Sequence, residues 1–131
     1  MHICSVISTR PEILKMSRVM AALDAAVQHT IIHTNQNYSH ELNGIFFDEM
    51  GLRKPDYVLD THGDTATSMT ADIMLKLEPL LVNLRPDALV LLGDTNGCLA
   101  TGLVVTRLKI PFFHLESGNR CWSKDLSLIH I

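Results

Sequence analysis

The chain has 131 residues, 47% of them apolar and 19% charged, a globular composition that excludes intrinsic disorder and fits one domain with its own core. Fourteen acidic residues against eleven Lys and Arg leave a net charge of −3, which argues against a general binder of nucleic acids or anionic membranes. Cys4, Cys98 and Cys121 are odd in number and far apart, the pattern of a reducing compartment rather than of a disulfide scaffold.

The first seven residues are a short apolar, β-branched run and are expected to form a strand buried on both faces. Pro11 follows where the first turn of a helix tolerates it. Ile13, Met16, Met20, Leu23 and Val27 then repeat at helical spacing. A second strand is expected over 29–34, a polar stretch over 35–39, and a helix over 40–50 that Gly51 stops. A short third strand is expected over 55–60. Thr65 opens a long helical pattern with Met69, Ile73, Leu77, Leu80 and Leu84, in which Pro79 predicts a kink or a break. Residues 88–92 (Ala-Leu-Val-Leu-Leu) form the clearest buried strand, followed by Gly93-Asp94-Thr95-Asn96, a helix to about Leu108, and a last strand over 110–115.

Alternating strands and helices mean βαβ units and a Rossmann-like α/β fold, a parallel sheet with helices on both faces. Right-handed crossovers place every strand-to-helix loop at one edge, where such sheets bind ligands. No stretch approaches the roughly 20 apolar residues of a membrane span. The N-terminus lacks the regions of a signal peptide, so no membrane association is expected and the cytoplasm is the expected location.

Three loops at that edge carry unusual residues. Ser8-Thr9-Arg10-Pro11-Glu12, with Lys15 one turn on, joins a helix N-terminus to a guanidinium fork suited to phosphate oxygens; a capped helix with a solvated arginine is the plainer reading. There is no glycine-rich dinucleotide or Walker loop. Asp94 follows a fully apolar strand and is either a helix cap, worth about 1 kcal/mol, or a working carboxylate. Glu116, in His114-Leu115-Glu116-Ser117-Gly118, ends a strand expected beside that of Asp94. Two acids in one crevice can divide acid and base roles.

His114-x-Glu116 lacks the Pro-Cys-x-x-Cys partner of zinc deaminases. Asp60-Thr61-His62, Gly93-Asp94 and Gly118-Asn119 imitate the order of a binuclear metallophosphoesterase. However, Gly97 stands where that site needs an acid and Arg120 where it needs a histidine. His2, His29, His33, His40 and His130 show no ligand spacing, and His62 is expected to be an exposed loop residue.

Thr9-Arg10-Pro11-Glu12 with Lys15-Met16, Thr34-Asn35-Gln36-Asn37, Gly93-Asp94-Thr95 and His114-Leu115-Glu116-Ser117-Gly118 together resemble the N-terminal part of the non-hydrolysing UDP-N-acetylglucosamine 2-epimerase family. Asn35-Gln36-Asn37-Tyr38, Glu41-Leu42-Asn43, Arg53-Lys54-Pro55-Asp56-Tyr57 and Gly118-Asn119-Arg120-Cys121 are similar to its capsule and O-antigen branch, which forms UDP-N-acetyl-L-fucosamine. The resemblance implies a two-domain GT-B-type fold, with a partial first domain over 1–121 and a non-family tail over 122–131. It implies C2 inversion of a UDP-sugar through elimination of UDP and a glycal intermediate. Arg10 and Lys15 would bind the nucleotide-sugar, Asp94 and Glu116 would be the acid/base or charge-stabilising groups, and no cofactor or metal is implied. A homodimer is implied for a full-length member, and no turnover for this chain alone. A non-catalytic Rossmann-like binding module is the alternative. Ser8 stands for a usual glycine and would be strained if its φ were positive. Asn35 also replaces a usual glycine, and Ser117 an alanine.

Overall fold

The computed structural model describes residues 1–34, 47–48 and 50–118. Its elements are β1 (His2–Ile7), α1 (Arg10–Ala26), β2 (Gln28–His33), β3 (Tyr57–Val58), α2 (Ala66–Leu84), β4 (Ala88–Leu92), α3 (Asn96–Leu108) and β5 (Phe112–Leu115). The strands form one parallel sheet in the order β3-β2-β1-β4-β5. That order is a Rossmann half-sheet continued on one side, so the expected fold class holds.

The alternation of side chains along β1 and β4 sorts the core into two layers. Ile3, Ile7, Val90 and Leu92 pack with Ile13, Met16 and Met20 of α1 on one face. Cys4, Val6, Leu89 and Leu91 pack on the other with Leu77 and Leu81 of α2 and Val104 and Val105 of α3. β4 is therefore apolar without interruption, because both of its faces are dry.

Helix boundaries follow local chemistry. Thr65 caps α2 in a reciprocal capping box with Ser68. Most of the helix expected over 40–50, and Asn35 with it, lies outside the described residues, but the C-terminal stop is visible. Gly51 has φ 62. Its N–H donates to the Asp48 carbonyl and the Leu52 N–H to that of Phe47, the paired bonds of a Schellman turn.

Two expectations are corrected, and the condition for strain at Ser8 is not met. Pro79 does not break its helix: α2 runs unbroken through it. The N–H missing at 79 would have bonded the carbonyl of Leu75, a residue 72% exposed, so water can serve that carbonyl instead. The third strand is only two residues long and pairs with β2 only at Ile32 and His33. Ser8 has no positive φ, so the serine brings no backbone strain.

Candidate active-site cleft at the carboxyl edge of the sheet

The parallel register sets the site. Leu92 pairs with Leu115, so Asp94 and Glu116 leave neighbouring strands within two residues of the same level. The Gly93 N–H donates to the Leu115 carbonyl at 3.1 Å, which ties the two loops together. On the other side of β4, the Ser8–Thr9 loop leads from β1 into α1. A cleft of about 160 Å³ opens between these loops, lined by Thr9, Glu12, Lys15, Asp94, Thr95 and Glu116 among others.

Three of the four expected site residues, Lys15, Asp94 and Glu116, line this cleft. Lys15 Nζ donates to Glu116 Oε2 at 2.8 Å, with both side chains partly exposed. Glu116 holds a left-handed backbone at φ 59. Arg10, the first residue of α1, is exposed and does not line the cleft. Asp94 is not the cap of α3: Thr95 is, its Oγ1 accepting the Cys98 N–H at 3.2 Å. The alternative of a capping role for Asp94 therefore falls away.

Thr9 and Thr95, the N-caps of α1 and α3, both line the cleft. Two helix N-termini with a lysine between them suit an anion, because free N–H groups and dipole ends add to the ammonium charge. Two carboxylates at the same opening suit proton transfer next to that anion.

Some contributors were not legible beforehand. Glu12 is buried and its Oε2 accepts the Ser8 N–H at 2.6 Å. Burial pushes its carboxyl above the usual range, against the pull of the Thr95 hydroxyl and of Ser8 and Thr9. His114 Nε2 lies 2.7 Å from the Gly93 carbonyl, and Cys98 Sγ donates to that carbonyl at 3.1 Å. Burial, reinforced by Glu12 and Asp94, pushes the Cys98 thiol up to about 12, so it serves as a hydrogen-bond donor and not as a nucleophile. His33, at the end of β2, is buried and its imidazole is lowered to about 4 by desolvation. The sequence signals were there in Glu12 at the third helical position and in His114 two residues before Glu116, but spacing does not show that Glu12 is buried or that His114 reaches the Gly93 carbonyl.

Other constellations do not make sites. Ser5 Oγ, His29 Nε2 and Nδ1, and Asp24 Oδ1 are linked at 2.9 and 2.7 Å in the manner of a nucleophile–base–acid set. Ser5 is wholly buried, so no substrate reaches it. Burial would raise Asp24, but the Arg53 and His29 hydrogen bonds outweigh it and hold the carboxyl low. This chain of bonds ties α1 and β2 to Arg53. No group of three or more His, Cys, Asp or Glu among the described residues is arranged to share a metal ion. At Gly97, a Cβ would lie 1.8 Å from Ser8 Oγ, so the acid that a binuclear site needs there has no room. His62 is exposed, as expected, and pairs with Asp60. An open groove of about 730 Å³ along Glu78, Pro79, Val82, Asn83 and Arg85 lies at the C-terminal end of α2, away from the loops that carry the carboxylates. Among the described residues no helix is long and apolar enough to cross a membrane.

Comparison with known proteins identifies the family. Residues 21–129 match the family described as UDP-N-acetylglucosamine 2-epimerase. The UDP-N-acetylglucosamine 2-epimerase of Methanocaldococcus jannaschii is 38% identical over 127 residues, covering 96% of this chain and 35% of that protein. The UDP-2,3-diacetamido-2,3-dideoxy-D-glucuronate 2-epimerase of Pseudomonas aeruginosa is 34% identical over 125 residues, covering 94% and 35%. The crystal structure of the M. jannaschii enzyme in complex with UDP-GlcNAc and UDP superposes with a TM-score of 0.88 at 38% identity, over 95% of this chain and 35% of that one. The chain thus spans about a third of the length of these relatives. With this match over most of its length, the chain belongs to the UDP-N-acetylglucosamine 2-epimerase family.

Proposed function

We propose that this chain is the N-terminal, Rossmann-like part of an epimerase that inverts C2 of UDP-N-acetylglucosamine or a related UDP-2-acetamido sugar. The observation that carries the reading is the cleft that Lys15, held by Glu116, shares with Asp94 and the N-caps of two helices. The diphosphate is bound by Lys15, by Arg10 and by the helix ends, which stabilise the UDP anion as it leaves. A carboxylate takes the C2 proton as the C1–O bond to UDP breaks, leaving a C1=C2 glycal. An acid on the other face then adds a proton to C2 while UDP re-adds at C1. Asp94 and Glu116 are the acid/base or charge-stabilising groups of these steps, and no cofactor takes part.

In this reading residues 1–121 are a partial first domain of a GT-B-type fold, and 122–131 are a tail outside it, although the family match runs on to residue 129. The full-length enzyme is a cytoplasmic homodimer serving capsule or O-antigen synthesis. The exposed Leu75, Val82, Leu99 and Leu103 on α2 and α3 supply an apolar face for assembly.

Calorimetry with UDP and UDP-N-acetylglucosamine tests the reading. The wild-type chain is expected to bind UDP, and Arg10→Ala to weaken that binding about tenfold or more, the scale of a lost charged hydrogen bond. No UDP binding, or equal binding by the variant, sinks it. Epimerisation by the 131-residue chain alone, followed by proton NMR, is expected to be undetectable.

A further inference from the structure

Glu12 is the third residue of α1, yet it is only 4% exposed. An acid at that position gains from the helix dipole while still solvated, so burying it needs a reason. Its Oε2 accepts the Ser8 N–H at 2.6 Å, one residue before the N-cap Thr9, which also bonds the carboxyl as in a capping box. Its other oxygen, Oε1, is buried with no hydrogen-bond partner among the described residues. That oxygen is turned to the start of the next loop: a Cβ placed on Gly93 would lie 3.9 Å from both Oε1 and Cγ. Gly93 carries φ 89 and opens the turn that presents Asp94. From the other side, Cys98 and His114 converge on the Gly93 carbonyl. An unmatched buried carboxyl oxygen costs about 1–3 kcal/mol, and native structures keep such groups where they serve a purpose.

We propose that Glu12 is a positioning residue of the cleft. Its carboxyl holds the loop before α1 and the turn before α3 in one frame, and so sets Lys15 and Asp94 in the same cleft. The titratable groups around it are Lys15, Asp94 and Glu116 in the cleft and the neutral Cys98 thiol and His114 behind the turn. The effect on ligand binding rests on the UDP-sugar reading above; the frame itself does not.

The test follows backbone amides of the ¹⁵N-labelled full chain through an acid titration, together with UDP binding. The Ser8, Gly93 and Thr95 amides are expected to shift with one shared midpoint above the usual glutamate range. Asp94→Asn is expected to keep that midpoint and Glu12→Gln to abolish it. Gln still offers an oxygen to the Ser8 N–H, so the fold stays intact and most UDP affinity is retained. Glu12→Ala is expected to weaken UDP binding about tenfold or more and to remove the exchange protection of the Ser8 amide. If Glu12→Ala does not fold, the Glu12→Gln titration decides alone. Movement of Ser8 without Gly93 and Thr95, or wild-type UDP affinity in Glu12→Ala, overturns the proposal. A wild-type chain that shows the shared midpoint but binds no UDP keeps the frame and discards the epimerase reading.

Discussion

Glu116 holds a left-handed backbone conformation, φ 59, that costs an L residue with a long side chain about 1–2 kcal/mol. Such strain persists where surrounding contacts over-determine it. Here those contacts are the Lys15 ion pair and the Gly93-to-Leu115 hydrogen bond beside it. Glu116→Gly is expected to relieve the strain while losing a partly exposed ion pair worth about 0–1 kcal/mol. Urea unfolding should therefore place the variant within about 1 kcal/mol of wild type or above it, even though a proposed active-site carboxylate has gone. A loss of several kcal/mol would mean that Glu116 holds the fold rather than the ligand. Arg10, Lys15, Asp94 and Glu116 were all legible in the sequence as candidates, because they lie in, or one turn beyond, the loops at the carboxyl edge of the strands. The exclusion of Arg10 from the cleft lining and the burial of Glu12 were not legible, since both depend on which loop packs over which.

At the scale of elements, α3 approaches β1 closely at one glycine and stands clear at another. A Cβ at Gly97 would meet Ser8 Oγ at 1.8 Å, Ser8 Cβ at 2.8 Å and Thr34 Oγ1 at 3.2 Å, whereas Gly102 has nothing within 4 Å. By helix propensity alone, alanine is worth about 1 kcal/mol at either site. Gly102→Ala should realise most of that gain. Gly97→Ala should instead lose about 1–3 kcal/mol to overpacking and displace the first turn of α3, which Thr95 caps. Chemical denaturation of the pair checks this, and a stabilised Gly97→Ala would show that Ser8 and the helix yield freely. The helices themselves were readable from caps and periodicity. The continuity of α2 through Pro79 was not, because it depends on that turn of the helix facing water.

Over the whole molecule, the sheet ends in β5, where Phe112 and Phe113 are 39% and 62% exposed. No described strand pairs with its outer side. An unprotected apolar edge is a template for association, so the isolated chain should self-associate as its concentration rises. Phe113→Lys should reduce this in sedimentation velocity by placing a charge at the edge. Undiminished association would locate the adhesive surface on α2 and α3 instead. The sequence alone determined the alternation of strands and helices, the parallel class of the sheet and the three loops that matter, because apolar period, caps and glycine stops act within a few residues of chain. Only the tertiary structure decided that Lys15 closes on Glu116, that Thr95 frees Asp94 from capping, and that Glu12 is buried between two loops. Those facts depend on strand register and on how closely α3 packs at Gly97, and such contacts join residues distant in the chain.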